Sequence, residues 1–191
     1  VTRYALRVTQ TGRFSTEHDT SKMSTRRSTI HDPRSPVFEF VSRSVEDTQR
    51  LGEQLGACLA AGDVIGLIGE LGSGKTTLIQ GLAKGLGVDP GLVRSPTFIL
   101  MREYAGPVPL IHVDGYRLDD AASMSWLDMD WVFSPKKVTV MEWADLCTGA
   151  LPEDHLELRF EHRTTNQRCI SATSHGPRSR QLVEELRKAL T

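Results

Sequence analysis

The chain has little that points to membranes, secretion or a metal scaffold. Its three cysteines, Cys58, Cys147 and Cys169, are odd in number and far apart. No pair has metal-ligand spacing, so they read as reduced thiols of a cytoplasmic protein. No apolar run approaches the roughly 20 residues that span a bilayer, so no membrane partner is expected. No secretory apolar segment is read near residue 1. The net charge of -1 lends nucleic-acid binding no support through bulk charge. Asparagine occurs once, as Asn166, followed by Gln167 and Arg168. The Asn-Lys-x-Asp motif that reads guanine is therefore missing. So is the Ser-Gly-Gly signature of transporter ATPases, and there is no internal repeat.

What is present suggests one packed domain with a tail. Hydrophobic residues make up 39% and charged residues 25% of the 191 residues, enough for a globular core. Residues 1–35 differ from the rest. Arg3, Arg7, Arg13, Lys22, Arg26, Arg27 and Arg34 face only Glu17, Asp19 and Asp32. Apolar residues there are sparse and aperiodic, so the segment reads as a disordered basic N-terminal extension. A basic arm for RNA or a partner, an organelle transit peptide, and an extension upstream of a true start at Met23 all fit its composition.

The central signal is Gly69-Glu70-Leu71-Gly72-Ser73-Gly74-Lys75-Thr76, the phosphate-binding pattern Gly-x-x-x-x-Gly-Lys-Thr. Val64–Ile68 enters it as a buried strand, and Thr77 onward leaves it as a helix running to about Leu86, with Gly87 after it. Backbone N–H groups of such a loop and the positive helix end make an anion site. Lys75 would reach the β- and γ-phosphates, and the Thr76 hydroxyl would hold Mg²⁺. Residues Gly69 to Thr77 are the expected nucleotide contacts. Glu70 is unexpected, because an acid in an anion loop is unfavourable unless it faces metal, water or a partner.

Strands and helices alternate around this loop. Val37–Val41 reads as a strand. Ser44 caps a helix whose Leu51, Leu55, Cys58 and Leu59 share one face. Residues 96–104 read as one strand with a polar outer face. Leu110–Asp114 and Val138–Glu142 are buried strands that each end in an acid. Asp119–Leu127 is a short helix candidate. Leu156–His162 and Arg168–Thr173 pair antiparallel, and Gln181–Leu190 is a terminal helix. The expected fold is α/β, a phosphate-loop NTPase-type layered fold with a mixed central sheet flanked by helices. The expected boundaries are 36–175 for a phosphate-loop ATPase domain and 176–191 for a C-terminal tail or helix.

Ligands of open α/β sheets bind beyond the carboxyl ends of strands. Asp114 and Glu142 both sit there. The reading is that Asp114 supports Mg²⁺ and that Glu142, also near the metal, polarises the attacking water. Ser95-Pro96-Thr97 is placed to sense the γ-phosphate. Trp143 adjoins Glu142 and reads as a stacking or core residue. His112 reads as a core histidine on the face of Asp114.

The motif order resembles a known family. Gly-Glu-Leu-Gly-Ser-Gly-Lys-Thr-Thr at 69–77 is followed by Ser-Pro-Thr-Phe at 95–98 and Glu-Tyr at 103–104. His-Val-Asp-Gly-Tyr-Arg-Leu at 112–118 and Glu-Trp at 142–143 complete the set. Over about residues 37–175 this is similar to TsaE (YjeE), the bacterial ATPase of tRNA threonylcarbamoyladenosine biosynthesis. The resemblance implies an Mg²⁺-dependent ATPase, slow alone and stimulated by TsaB and TsaD, with tRNA contacted indirectly. It also implies a nucleotide-side role for Trp143. Family members usually carry Asp at the position of Glu70. A phosphate-loop kinase of a small metabolite, with Asp114 activating the acceptor hydroxyl, and a nucleotide-gated module without turnover are the competing readings.

Overall fold

The computed structural model describes residues 38–118, 127–147, 149–164 and 166–191. The basic extension and most of the helix expected at Asp119–Leu127 lie outside the described residues. Seven strands form one sheet in the order β1-β7-β6-β2-β5-β4-β3. They are β1 (Phe38–Ser42), β2 (Val64–Ile68), β3 (Met101–Tyr104), β4 (Leu110–Asp114), β5 (Val138–Glu142), β6 (Leu156–Thr164) and β7 (Gln167–Ser174). The four central strands β6, β2, β5 and β4 run parallel. β3 and the β7–β1 pair are antiparallel additions at the two edges. The sheet is thus mixed, as the sequence suggests.

β2, β4 and β5 are buried along their whole length, which explains their unbroken apolar runs. Their main core contains Leu51, Leu55, Leu78, Ile79 and Leu82 from helices α1 (Val45–Cys58) and α2 (Lys75–Gly85), packed with Ile65, Leu67 and Val140. A second cluster, with Ile111, Val113, Met141 and Val132, lies around β4 and β5. Val132 belongs to the short helix α3 (Met129–Val132).

Helices α1 and α2 meet through glycine on both sides. Gly52 and Gly56 of α1 lie against the backbone of Leu78 and Leu82, while Gly81 and Gly85 of α2 lie against Gln49 and Glu53. A methyl group at any of the four would collide with a carbonyl oxygen. The spacing of four residues on each helix puts both glycines on one face, so the backbones touch where side chains usually intervene.

The terminal helix α4 (Pro177–Ala189) is tied back across the chain. Asp154 accepts from the N–H groups of Arg178 and Ser179, at 2.8 and 3.0 Å, and so satisfies the open start of the helix. The Arg178 guanidinium grips the buried Asp63 with two bonds of 2.9 and 2.7 Å and also reaches the Cys58 carbonyl. Asp63 opens β2, so α4 braces the strand that leads into the phosphate loop.

One expected element is different. The strand starts only at Met101; Pro96–Leu100 folds into a turn, with the Ile99 and Leu100 N–H groups donating to the Pro96 carbonyl. Leu100 adopts φ of 65°, outside the strand region. Apolar character at 98–100 suggested a strand, but contacts from Ser95 and Thr97 to a neighbouring strand win over that local preference.

Gly81→Ala separates packing from helix propensity. Alanine gains about 1 kcal/mol as a helix former, but the collision with α1 costs about 3 kcal/mol or more. Urea unfolding should show a net loss of about 2 kcal/mol; a gain in stability would mean that the two helices do not touch at this point.

Candidate functional site

Three glycines shape the loop between β2 and α2. Gly69, Gly72 and Gly74 all have positive φ, and Gly74 at 106° directly precedes the helix. Such angles suit a residue without Cβ. They turn the chain so that α2 opens onto the loop. Buried Lys75 curls back under it and donates to the carbonyls of Gly69 and Glu70, at 2.6 and 3.0 Å. Burial pushes its ammonium below the ordinary lysine value, against the opposing pull of Glu142, Asp114 and Asp145. Its Nζ also lies 3.8 Å from the centre of the Trp143 ring, a cation–π contact.

Parallel register sets Asp114 directly beside Glu142 at the carboxyl ends of β4 and β5. Both acids are buried. Glu142 Oε1 accepts two bonds, from the Thr76 hydroxyl at 2.8 Å and from His112 Nε2 at 2.9 Å. Its Oε2 has no hydrogen bond among the described residues. Asp114 is held otherwise. Its Oδ2 accepts from Ser95 and Thr97, at 3.1 and 2.6 Å, and its Oδ1 from the Tyr116 N–H at 3.0 Å. Leu71 to Thr77, Ser95, Thr97, Asp114, Glu142 and Trp143 together line a cleft of about 230 Å³.

Trp143 is only half-buried and is therefore not a core residue. It packs against Tyr116, with ring centroids 5.1 Å apart. Its φ of 58° is left-handed, a costly backbone state for a bulky residue that persists when surroundings enforce it. That twist turns the ring over Lys75. Glu70 contributes its carbonyl to Lys75 and to the Ser73 N–H. Its side chain is exposed and lines an adjoining surface hollow with Asp145, Arg159 and His162, which shares Trp143 with the cleft. The acid thus avoids the anion loop by facing outward.

The sequence reading undervalues His112. It is a fully buried core residue, yet it bonds the strand-end acid, and its Nδ1 has no partner. The signal was its two-residue spacing from Asp114, which places both on one side of β4.

The residues fit a magnesium nucleotide. Thr76, Asp114 and Glu142 bring only oxygen donors together, the set that a hard cation takes. The buried Ser73 hydroxyl has no partner, and the hydrogen bonds of the buried Lys75 ammonium go to carbonyl oxygens rather than to an anion.

Comparison with known proteins gives the lineage. The family model for threonylcarbamoyl adenosine biosynthesis protein TsaE matches residues 42–170. The chain belongs to the TsaE family. The tRNA threonylcarbamoyladenosine biosynthesis protein TsaE of Bacillus subtilis is 38% identical over 142 residues, covering 74% of this chain and 88% of that protein. The protein of the same name from Streptomyces coelicolor is 47% identical over 139 residues, covering 68% of this chain and 92% of its own length. A crystal structure of Bacillus subtilis YdiB has the same fold, with a TM-score of 0.69 and 32% identity over 81% of this chain and 96% of that one. Among the described residues, no helix is long and apolar enough to cross a membrane.

His112→Ala should cost about 3 kcal/mol in urea unfolding, through a cavity and a lost donor to a buried carboxylate. His112→Phe keeps most of the volume and should still lose about 2 kcal/mol. Equal stability of His112→Phe and the parent would show that the bond to Glu142 contributes nothing.

Proposed function

We propose that the chain binds and hydrolyses ATP as a component of the bacterial tRNA N6-threonylcarbamoyladenosine machinery, acting in the cytoplasm on a TsaB–TsaD complex. The observation that carries the hydrolytic part is the meeting of Lys75, Thr76, Asp114 and Glu142 at one cleft. The place in tRNA modification rests on family membership and on the names of the relatives.

Each residue has a task in this reading. The N–H groups of the loop and of the first turn of α2 bind phosphate oxygens. Lys75 exchanges the Gly69 and Glu70 carbonyls for phosphate oxygen, a better partner for a buried cation. Thr76 and Asp114 would hold Mg²⁺, with Glu142 beside it, and the ion when bound would neutralise charge on the phosphates. Glu142 keeps Oε1 on Thr76 and His112 and leaves Oε2 to orient water or take its proton. Asp114 fixes the hydroxyls of Ser95 and Thr97 through one oxygen, so movement of that loop is coupled to the strand end. Trp143, with Tyr116 packed against it, closes one side of the cleft. A nearby TsaB–TsaD surface would complete or release this arrangement, which gives slow turnover alone and faster turnover in the complex.

Two substitutions and one addition test this. Glu142→Gln should lower ATP turnover about 100-fold or more while nucleotide affinity stays within a few-fold. Lys75→Ala should lose nucleotide binding itself. Adding TsaB–TsaD to the parent chain should speed phosphate release with no small-molecule acceptor present. Normal turnover in Glu142→Gln overturns the catalytic assignment. Absence of both stimulation and co-purification overturns the partner assignment, and ADP formation that strictly requires a metabolite supports a kinase instead.

A further inference from the structure

A second cluster of chemistry-bearing side chains lies away from the phosphate loop, where β6 begins and β7 ends. His155 and His175 flank the directly paired Leu156 and Ser174, and the His175 N–H donates to the His155 carbonyl at 3.1 Å. Their rings stack with centroids 4.1 Å apart and planes within 7°. Glu157, two residues along β6, reaches the same spot, its Oε2 3.6 Å from His175 Nε2. One ligand atom from each of the three residues lies within 4.8 Å of the others.

The surrounding bonds leave the right atoms available. His155 Nδ1 lies 2.7 Å from the Pro152 carbonyl. A carbonyl only accepts, so Nδ1 carries the proton and the neutral ring presents its Nε2 lone pair. This is the second-shell bond that orients a metal-binding imidazole. Glu157 gives Oε1 to Arg159 at 3.2 Å, and Oε2 faces the histidines. The backbone beneath His175 is pinned as well, since its N–H also meets the Ser179 hydroxyl at the start of α4. Two histidines on paired strands and one carboxylate therefore sit on anchored backbone.

We propose that His155, Glu157 and His175 form a binding site for a divalent cation of the Zn²⁺ class. Two imidazoles and a carboxylate suit a borderline cation and leave a fourth position for water. Mg²⁺, which favours an all-oxygen shell, does not compete for it. Binding requires the exposed His175 ring to tilt out of the stack, so that its lone pair converges with that of His155; the strands need not move. The bound ion clips the start of β6 to the end of β7, next to the Asp154 carboxylate that caps α4, and so favours the folded chain. The site is independent of the ATPase reading.

The test is Zn²⁺ binding by the full, tag-free chain in isothermal titration calorimetry, beside His175→Ala, Glu157→Gln and His155→Ala/His175→Ala. The expected result is a saturable equivalent whose affinity falls on the order of tenfold or more in each single variant. That equivalent should vanish in the double variant. Co²⁺ should give visible bands without a thiolate charge-transfer band, and Zn²⁺ should raise the Tm of the parent but not of His175→Ala. Circular dichroism of His175→Ala, altered only at an exposed side chain, checks that the fold is kept. No saturable binding, binding unchanged in the double variant, or a thiolate band that places the ion on cysteine would overturn the proposal.

Discussion

The site depends on a carboxylate buried at the end of β5. An ionised group out of water must be met by donors or counter-charge. Glu142 meets this demand with one oxygen, which accepts from Thr76 in the first turn of α2 and from His112 on β4. Those two bonds fix the helix start against the sheet. They also hold the carboxylate in a single orientation with Oε2 uncommitted. Lys75, under the same loop, supplies the nearby positive charge, and Asp114 is locked beside Glu142 by strand register. A group of charges that would be costly in a loose pocket is thereby held in fixed positions, as the proposed nucleotide, with its several negative charges, would require.

That arrangement needs α2 to lie close and at a fixed height on the sheet. The glycine contact with α1 supplies this. With no side chains between the two backbones, α2 has little room to slide or rotate, and its first turn stays within reach of Glu142. On the other side of the loop, Arg178 and Asp63 brace the start of β2. The phosphate loop is thus suspended between a strand secured at its origin and a helix secured along its length. The backbone of the turn meets Asp114 at Leu100, whose carbonyl accepts from the Asp114 N–H, but its Ser95–Thr97 end is fastened to Asp114 by hydroxyls, bonds that can be remade more easily than a packed helix can shift. Rigid support under the loop and a more readily rearranged turn at its edge suit the proposed site, which would first grip a nucleotide and then respond to its terminal phosphate.

Much of this was legible in the residues. The phosphate loop carries its own signature. The strands Leu110–Asp114 and Val138–Glu142 announce themselves as short apolar runs that stop at an acid, and the structure gives both the same limits. Other features are non-local and leave no periodic mark. Glycines at 52, 56, 81 and 85 gain their meaning only where the two helices lie face to face. Pro96–Leu100 looks extended from its apolar residues, and the carboxylate that draws Ser95 and Thr97 into a turn lies on another strand. Trp143 looks equally suited to core and cleft until its left-handed backbone is known. His112 belongs to the core and to the site together, a pairing that spacing hints at but cannot decide. Arg178 lies in a segment outside the recognised motifs, and only the tertiary fold brings it to Asp63, 115 residues earlier in the chain.

The central claim is that the loop and the two strand-end acids form one magnesium–nucleotide site. A crystal structure with Mg²⁺ and a non-hydrolysable ATP analogue tests it most directly. The account predicts phosphates on the N–H groups of residues 71–76 and Lys75 turned from the Gly69 and Glu70 carbonyls to a phosphate oxygen. It also predicts the metal beside Thr76, within reach of Asp114 and Glu142. A nucleotide bound elsewhere, or a Lys75 still seated on its carbonyls beneath a bound triphosphate, would contradict it.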